Sequence, residues 1–147
     1  YQSLALPAKD TWGVLMPEDP QLAKQETISP QDLWDKPLIV SHQRGGSHLI
    51  SRWLRREYSQ LNVVATYNLV FNASLLVEGG LGYALCLDKL IHTQGTSLCF
   101  RPLSPRLEAS AYVVWKNYQV FSKAADTFLT CLRKTLAQES QQAQQPY

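Results

Sequence analysis

Residues 63–87, VVATYNLVFNASLLVEGGLGYALCL, decide the fold of this chain. The pattern predicts a β-branched strand ending at Tyr67, an Asn-containing turn, a short apolar helix, and a second strand over 83–87. Gly79 and Gly80 favour the end of the helix, since glycine readily adopts the left-handed conformation of a C-cap. In open α/β sheets, ligands bind where a strand passes its carboxyl end to a helix. The free N–H groups and positive dipole of the helix N-terminus suit an anionic or carbonyl group there.

The rest of the chain continues this alternation of strands and helices. Further strands are predicted over 11–16, 38–40, 98–102 and 108–115, a single helical turn after Ser29, a helix with apolar positions from Ser47 to Tyr58, and another from Ser122 to about Leu136. This order implies an α/β fold with a mostly parallel central sheet flanked by helices. Strand ends then gather at one edge, where we expect 41–44, 67–72 and the end of strand 83–87 to face a ligand.

Two polar residues, Ser41 and Arg44, follow the strand over 38–40. Ser41 could donate a hydrogen bond to a ligand, and Arg44 could hold a carboxylate through two parallel N–H groups. The alternative is a solvated loop that caps the next helix. Both residues are candidate ligand contacts, whereas His42 is expected at the surface or in packing.

Tyr67, Asn68 and Asn72 surround the second strand-to-helix turn and complete the set of candidate ligand-binding residues. An asparagine at this place can cap the helix or point into the cleft. Tyr67 is compatible with either packing or ligand contact. Phe71 is expected in the core or in the wall of the cleft.

Composition limits the class of protein. A chain of 147 residues with 45% hydrophobic and 18% charged residues is one domain by size and ordinary for a globular protein. Its formal charge of +2 gives no argument for nucleic-acid binding. An apolar run of about 18 residues does not occur, which argues against a membrane span. The three cysteines, Cys86, Cys99 and Cys131, are far apart, as expected for reduced cytoplasmic thiols and not for disulfides.

An enzyme is not indicated. The histidines show no metal-ligand spacing, and neither a Gly-x-Ser-x-Gly motif nor a phosphate loop occurs, so we expect no metal, cofactor or catalytic residue. Cys86 lacks a nearby cation in the sequence, which favours an inert buried thiol, and Cys99 and Cys131 are expected as small core residues. Arg52, Arg55 and Arg56 form a basic helix face with His48, for which a solvated face is favoured over a nucleic-acid or acidic-partner surface.

Several motifs occur along the chain in a regular order: WGVLMP (12–17) followed by PQLA (20–23), ISPQDL (28–33) followed by KPLI (36–39), VEGGLGYAL (77–85), and FSKAA (121–125) followed by FL (128–129). In their order and spacing, these motifs resemble the effector-sensing domain of LysR-type transcriptional regulators. The resemblance covers about residues 10–137. Gln21 is an insertion-like departure, and Cys86-Leu87 stands where many members have a proline-ended turn.

The resemblance implies a periplasmic-binding-protein-like (type II) α/β fold. It implies an effector-binding lobe with crossover strands over 1–115 and a helix over 116–137 that returns to the other lobe. The Gln-rich, polar composition of 138–147 predicts a disordered tail. Because the resemblance begins within the domain, we expect the first lobe and a winged-helix DNA-binding domain outside this chain. It favours Ser41, and it favours one polar contact from the second turn, with Asn68 as first choice.

The implied partners are a small-molecule effector, anionic if Arg44 and the helix N-termini set the preference, and other copies in a homodimer or tetramer. DNA would be bound only through the winged-helix domain, and no membrane partner is expected. The apolar stripe of the last helix would be uncovered in this chain or buried by a second copy. Its members are Ala125, Phe128, Leu129, Leu132 and Leu136. The alternative function is one lobe of a solute-binding protein of transport or receptor type.

Overall fold

The computed structural model describes residues 1–18, 21–43 and 46–142. Its strands are β1 (Gln2–Pro17), β2 (Leu38–Ser41), β3 (Val63–Tyr67), β4 (Tyr83–Leu87), β5 (Leu98–Pro102) and β6 (Glu108–Trp115). Its helices are α1 (Gly46–Leu54), α2 (Val70–Glu78) and α3 (Lys123–Gln142), with 3-10 turns at Pro30–Leu33 and Tyr58–Gln60. No helix of the described part is long and apolar enough to cross a membrane.

The chain divides into two compact units. The larger unit comprises residues 10–109, and the smaller unit comprises residues 1–9 and 110–147. The expected lobe over 1–115 and the expected returning helix over 116–137 stay predictions, and most of strand β6 groups with the C-terminal helix. Two long strands, β1 and β6, pair with each other and belong in part to each unit.

The sheet of the larger unit has the order β3-β2-β4-β1-β5. β2 runs parallel to β3 and β4, whereas β1 runs antiparallel to both β4 and β5. The predicted α/β fold is confirmed, and within it this sheet is mixed instead of mostly parallel. The parallel pairs are those whose connections carry α1 and α2, as parallel crossovers require, whereas β1 enters the sheet without a preceding crossover helix.

Two apolar layers cover the two faces of this sheet. One packs around Val14, Val40 and Leu85 with Ile50 and Leu54 of α1. The other contains alternate residues of the same strands, with Ala73 and Val77 of α2. Because successive strand residues point to opposite faces, the short apolar runs of β2 and β4 are buried on both sides.

Close backbone packing fixes the approach of β4 to the chain before β2. A Cβ added at Gly82 would collide with the carbonyl oxygen of Pro37. Tyr83 donates its backbone N–H to the same carbonyl over 2.8 Å. A side chain at position 82 would push the backbone away from Pro37, which explains the glycine immediately before β4.

The smaller unit contains the first part of β1, most of β6, and α3. Trp115 of β6 donates its indole N–H to Gln2 over 2.9 Å, and the guanidinium of Arg133 lies 5.4 Å from the Trp115 ring. Leu129 of α3 is buried, but Phe128 is 64% exposed, so the predicted stripe is only partly covered. Cys131 is exposed, and its expected place in the core is wrong.

The last helix is longer than the sequence predicted. It extends to Gln142 instead of ending near Leu136, so the first residues of the predicted disordered tail are helical. Residues 143–147 lie outside the described residues. The glutamine-rich end carries no helix-breaking proline before Pro146, and glutamine is a good helix former.

Candidate functional site

Three strand ends meet at one edge of the larger unit's sheet. Ser41, the last residue of β2, pairs in register with Tyr67, the last residue of β3. The backbone N–H of His42 donates to the Tyr67 carbonyl over 2.8 Å, which extends this pairing by one residue. β4 is parallel to β2, so its final residue, Leu87, ends at the same edge. The sequence-predicted gathering of these strand ends is thus present in the structure.

Ser41 lies half-buried at this edge. Its hydroxyl oxygen accepts a long hydrogen bond, 3.4 Å, from the backbone N–H of Gln43. That bond uses an acceptor lone pair and leaves the hydroxyl proton for a further partner. Arg44, the other candidate of this loop, lies outside the described residues.

The side chain of Tyr67 connects β3 to β4. Its hydroxyl donates a 2.7 Å hydrogen bond to the carbonyl of Leu85, and its ring packs against the core layer on the α2 side of the sheet. Burial, and then the neighbouring Cys86, raises the pKa of the phenol well above its ordinary value. The hydroxyl therefore remains a neutral donor, and its bond stabilises the edge.

The first turn of α2 presents unpaired donors at the same edge. Leu69 occupies the N-cap position and has no side-chain capping bond. Its carbonyl accepts from the N–H groups of Asn72 and Ala73, at 3.0 and 3.4 Å. Within the described residues, the N–H groups of Val70 and Phe71 have no acceptor. An exposed helix N-terminus of this kind attracts an oxyanion or carbonyl oxygen.

The candidate asparagines lie on either side of that turn. Asn68 is exposed between β3 and α2, and Asn72 is exposed in the first turn of α2. Neither side chain caps the helix, because the N-cap position belongs to Leu69. The capping alternative for Asn68 is therefore wrong, and as a ligand contact it stays a prediction, as do the other four candidates.

Sequence reasoning missed a second group of polar residues near the end of β4. Thr11, Thr27, Asp88, Ser104 and Arg106 contribute to the lining of a cavity of about 400 Å³. The guanidinium of Arg106 donates to the Thr11 hydroxyl over 3.1 Å and pairs with Glu108 at 3.2 Å. The backbone N–H of Asp88 donates to the Thr11 carbonyl over 2.9 Å.

This cavity depends on strand direction. Thr11 meets Asp88 because β1 runs antiparallel to β4, with Trp12 opposite Leu87. Sequence spacing of nearly eighty residues carries no signal for that neighbourhood. Asp88 alone was accessible from the sequence, as the first polar residue after a predicted strand.

Cys86 is a buried residue of β4, next to the last residue of that strand. Burial, with a smaller contribution from the Asp88 carboxylate, raises the pKa of its thiol to about 12. At neutral pH such a thiol stays protonated and is a poor nucleophile. The interpretation of Cys86 as an inert core residue agrees with this placement. In the described ranges, no three His, Cys, Asp or Glu side chains are arranged to hold a metal ion.

The architecture and its edge define a class of protein. A mixed sheet with helices on both faces, whose parallel strand ends and helix N-terminus meet at one edge, is a type II periplasmic-binding-protein-like arrangement. The LysR substrate binding domain model matches residues 4–137. The chain belongs to this family, as its motifs predicted.

Solved structures of LysR-family regulators share the fold. HinK from Pseudomonas aeruginosa aligns with a TM-score of 0.74 at 20% identity, covering 92% of this chain and 48% of that protein. The effector binding domain of QuiR in complex with shikimate has a TM-score of 0.74 at 17% identity, covering 92% of this chain and 66% of that domain.

The regulatory domain of CcmR from Synechocystis PCC6803, in complex with 2-PG, has a TM-score of 0.69 at 18% identity, covering 92% of this chain and 67% of that domain. The chain spans about half the length of the regulator HinK. No curated protein matches the sequence.

Proposed function

We propose that this chain is part of the effector-sensing domain of a cytoplasmic LysR-type transcriptional regulator, and that its sheet edge forms one wall of a small-molecule site. The observation that carries the proposal is the convergence of Ser41, Asn68 and the N–H groups of Val70 and Phe71, which have no acceptor among the described residues, at that edge. Donors dominate this set, which favours a carboxylate or another oxygen-rich anion over a cation.

The relatives support this class of ligand. Effector domains of this family are solved in complex with 2-PG and with shikimate. Family membership also favours a regulator over the alternative of a solute-binding protein of transport type. The proposed function is binding without turnover, which membership of a family of transcriptional regulators supports.

The mechanism follows from the position of the site. A ligand held between this edge and a second lobe favours the lobe arrangement to which it binds more tightly. In a homodimer or tetramer that preference changes the relative poses of the subunits, and through them the contacts of a winged-helix domain with DNA. The effect is limited by the difference in ligand affinity between the two arrangements. One wall alone should bind weakly.

A titration of the isolated chain tests the proposal. Shikimate and acetate, added at constant ionic strength to the ¹⁵N-labelled chain, should shift the amide resonances of Ser41, Val70 and Phe71 with millimolar affinity. Asn68→Asp should weaken binding several-fold, because it adds a negative charge beside the helix N-terminus.

Asn62→Asp provides the matched control, since Asn62 is exposed at the opposite end of β3. This variant should bind as the parent chain does. Equal weakening by both variants would reduce the effect to net charge. Shifts confined to other parts of the chain would refute the proposed edge.

A further inference from the structure

The C-terminal end of α1 has an unusual residue in a defined capping motif. The N–H of Arg56 donates to the carbonyl of Ser51 over 3.2 Å, and the N–H of Arg55 donates to that of Arg52 over 3.3 Å. This pair of bonds is the Schellman motif, in which the C′ residue adopts a left-handed conformation and is usually glycine. Arg55 holds that position with φ of 55°. The helix therefore ends at Leu54, earlier than its apolar pattern predicted.

The left-handed residue Arg55 lines the same pocket as Arg52 and Arg56. Arg52, Arg55 and Arg56 line a pocket of about 460 Å³ together with His48, Ser51 and Glu57. No carboxylate in the described part of the chain forms an ion pair with any of the three guanidiniums. Glu57 also lines the pocket, so three guanidiniums face one carboxylate, and this excess of positive charge in a concave surface raises the local concentration of anions.

Two further contacts hold the pocket in shape. The guanidinium of Arg56 stacks 4.3 Å from the centre of the Trp34 ring, and the Trp34 indole N–H donates to the Leu54 carbonyl over 3.0 Å. The hydroxyl of Ser51 is buried and has no hydrogen-bond partner among the described residues, so one donor of the pocket lining is unused.

A plain solvated basic face explains these features poorly. Exposed arginines on a helix need neither a concave surface nor a left-handed residue, and glycine at position 55 would form the same cap without strain. The carbonyls of Ser51, Arg52 and Leu54 already have donors, so the negative end of the helix dipole is partly neutralised. The end of α1 can thus accept an anion.

We infer that this pocket is an anion-binding site for the phosphate group of a small molecule, held by the guanidiniums of Arg52 and Arg55 with Arg56 fixed against Trp34. Arginine matches phosphate because its planar N–H groups form paired hydrogen bonds with two oxygens. The pocket volume is within the range of small-molecule sites. α1 begins after the carboxyl end of β2 and is nine residues long, so its C-terminus lies roughly 13 Å from the ligand-facing edge. This second site does not depend on the proposed function.

The test is a titration of the ¹⁵N-labelled full chain with inorganic phosphate, with sodium chloride keeping the ionic strength constant. Saturable shifts should appear in the amides of residues 48–60. Arg55→Gly should weaken phosphate binding at least fivefold while raising the thermal unfolding midpoint, because glycine adopts the left-handed conformation without strain. A loss of binding in a more stable variant cannot be caused by unfolding.

Lys89→Gly is the matched control. Lys89 is also an exposed cation in the left-handed region, with φ of 64°, but it lies outside the pocket. Its substitution should raise the unfolding midpoint similarly and leave phosphate affinity within twofold. Linear, unsaturable shifts, equal losses in both variants, or unchanged affinity in Arg55→Gly would each overturn the inference. So would phosphate-independent self-association that Arg55→Gly abolishes, because the pocket would then be a protein contact.

Discussion

The two units of this chain differ sharply in how much apolar surface they bury. Among the described residues, every buried apolar side chain except Leu129 lies in the larger unit. That unit covers both faces of its sheet, with α1 on one side and α2 on the other. In the smaller unit, Tyr112 and Val114 of β6 are 57% and 56% exposed, although Trp115 contacts Arg133 of α3.

The larger unit holds most of the apolar burial that stabilises the chain. Two-stranded ribbons are marginally stable unless a third strand or a packed helix adds apolar burial. Hydrophobic burial is the main favourable term in folding, so the larger unit should supply most of the free energy of unfolding. Three experiments follow from this comparison.

The largest contrast is expected in cysteine reactivity. Cys131 of the smaller unit is exposed, whereas Cys86 and Cys99 of the larger unit are buried. A thiol pKa of about 12 leaves Cys86 roughly one thousandth of the thiolate present at an ordinary pKa near 9. Burial also raises the pKa of Cys99. Ellman's reagent at pH 8 should therefore modify one thiol rapidly, and denaturant should release the other two.

The fast phase should disappear in Cys131→Ser and persist in Cys86→Ser. Rapid modification of Cys86 at pH 8 in the native chain would contradict the buried placement. Below its raised pKa, the Cys86 thiol is mostly protonated and unreactive. Its reactivity should therefore increase with pH up to about 12, over the pH range in which the chain stays folded.

The next contrast concerns leucine truncation. Leu85 is fully buried between two strands, so Leu85→Ala should cost about 2–5 kcal/mol. Leu129→Ala, the same change in the smaller unit, should cost about 1–2 kcal/mol, because a site near the surface relaxes around the lost methyl groups. Native-state hydrogen exchange resolves each unit separately.

Leu75→Ala, at an exposed position of α2, is the control and should change stability by less than about 0.5 kcal/mol. Equal costs at positions 85 and 129 would remove the proposed difference between the units.

The smallest contrast is a backbone test within the larger unit. Gly82→Ala places a methyl group against the Pro37 carbonyl and should cost about 1–3 kcal/mol. Gly79→Ala meets only the carbonyl oxygens of Leu75 and Leu76, at 3.4 and 3.6 Å, which are ordinary contacts, and should change stability by less than about 0.5 kcal/mol. Urea unfolding of both variants measures the difference. A tolerated alanine at position 82 would show that β4 can move away from the preceding chain.

Local pattern was sufficient for much of the fold. The predicted bounds of β4, β5 and β6 agree with the structure, and the turn after Ser29 forms as expected. These segments are bounded by proline, glycine or charged residues that mark their ends chemically. The ends of α1 and α3 were predicted less well. Tyr58 continues the apolar spacing of α1, but the helix ends earlier because Arg55 adopts a left-handed conformation. Arginine is not a residue type that predicts this conformation.

The candidate site divides in the same way. Ser41, Tyr67 and Asn68 were identified as residues that follow strands, and parallel pairing brings their backbones to one edge. The hydroxyl bond of Tyr67 to Leu85, and the cavity that joins Thr11 to Asp88, involve partners that are remote in sequence. Such contacts depend on strand order and direction, which periodicity does not specify.

The family, the alternation of strands and helices, and the glycine break between α2 and β4 were predictable without the structure, because they depend on local spacing and residue type. Folding adds what local pattern does not specify: β1 runs antiparallel within the sheet, Cys86 is desolvated while Cys131 is exposed, and three arginines line one pocket. Strand direction, desolvation and the gathering of like charges are properties of residues brought together from distant positions or by one strained backbone angle, and the physical interactions that set them act only once the chain has folded.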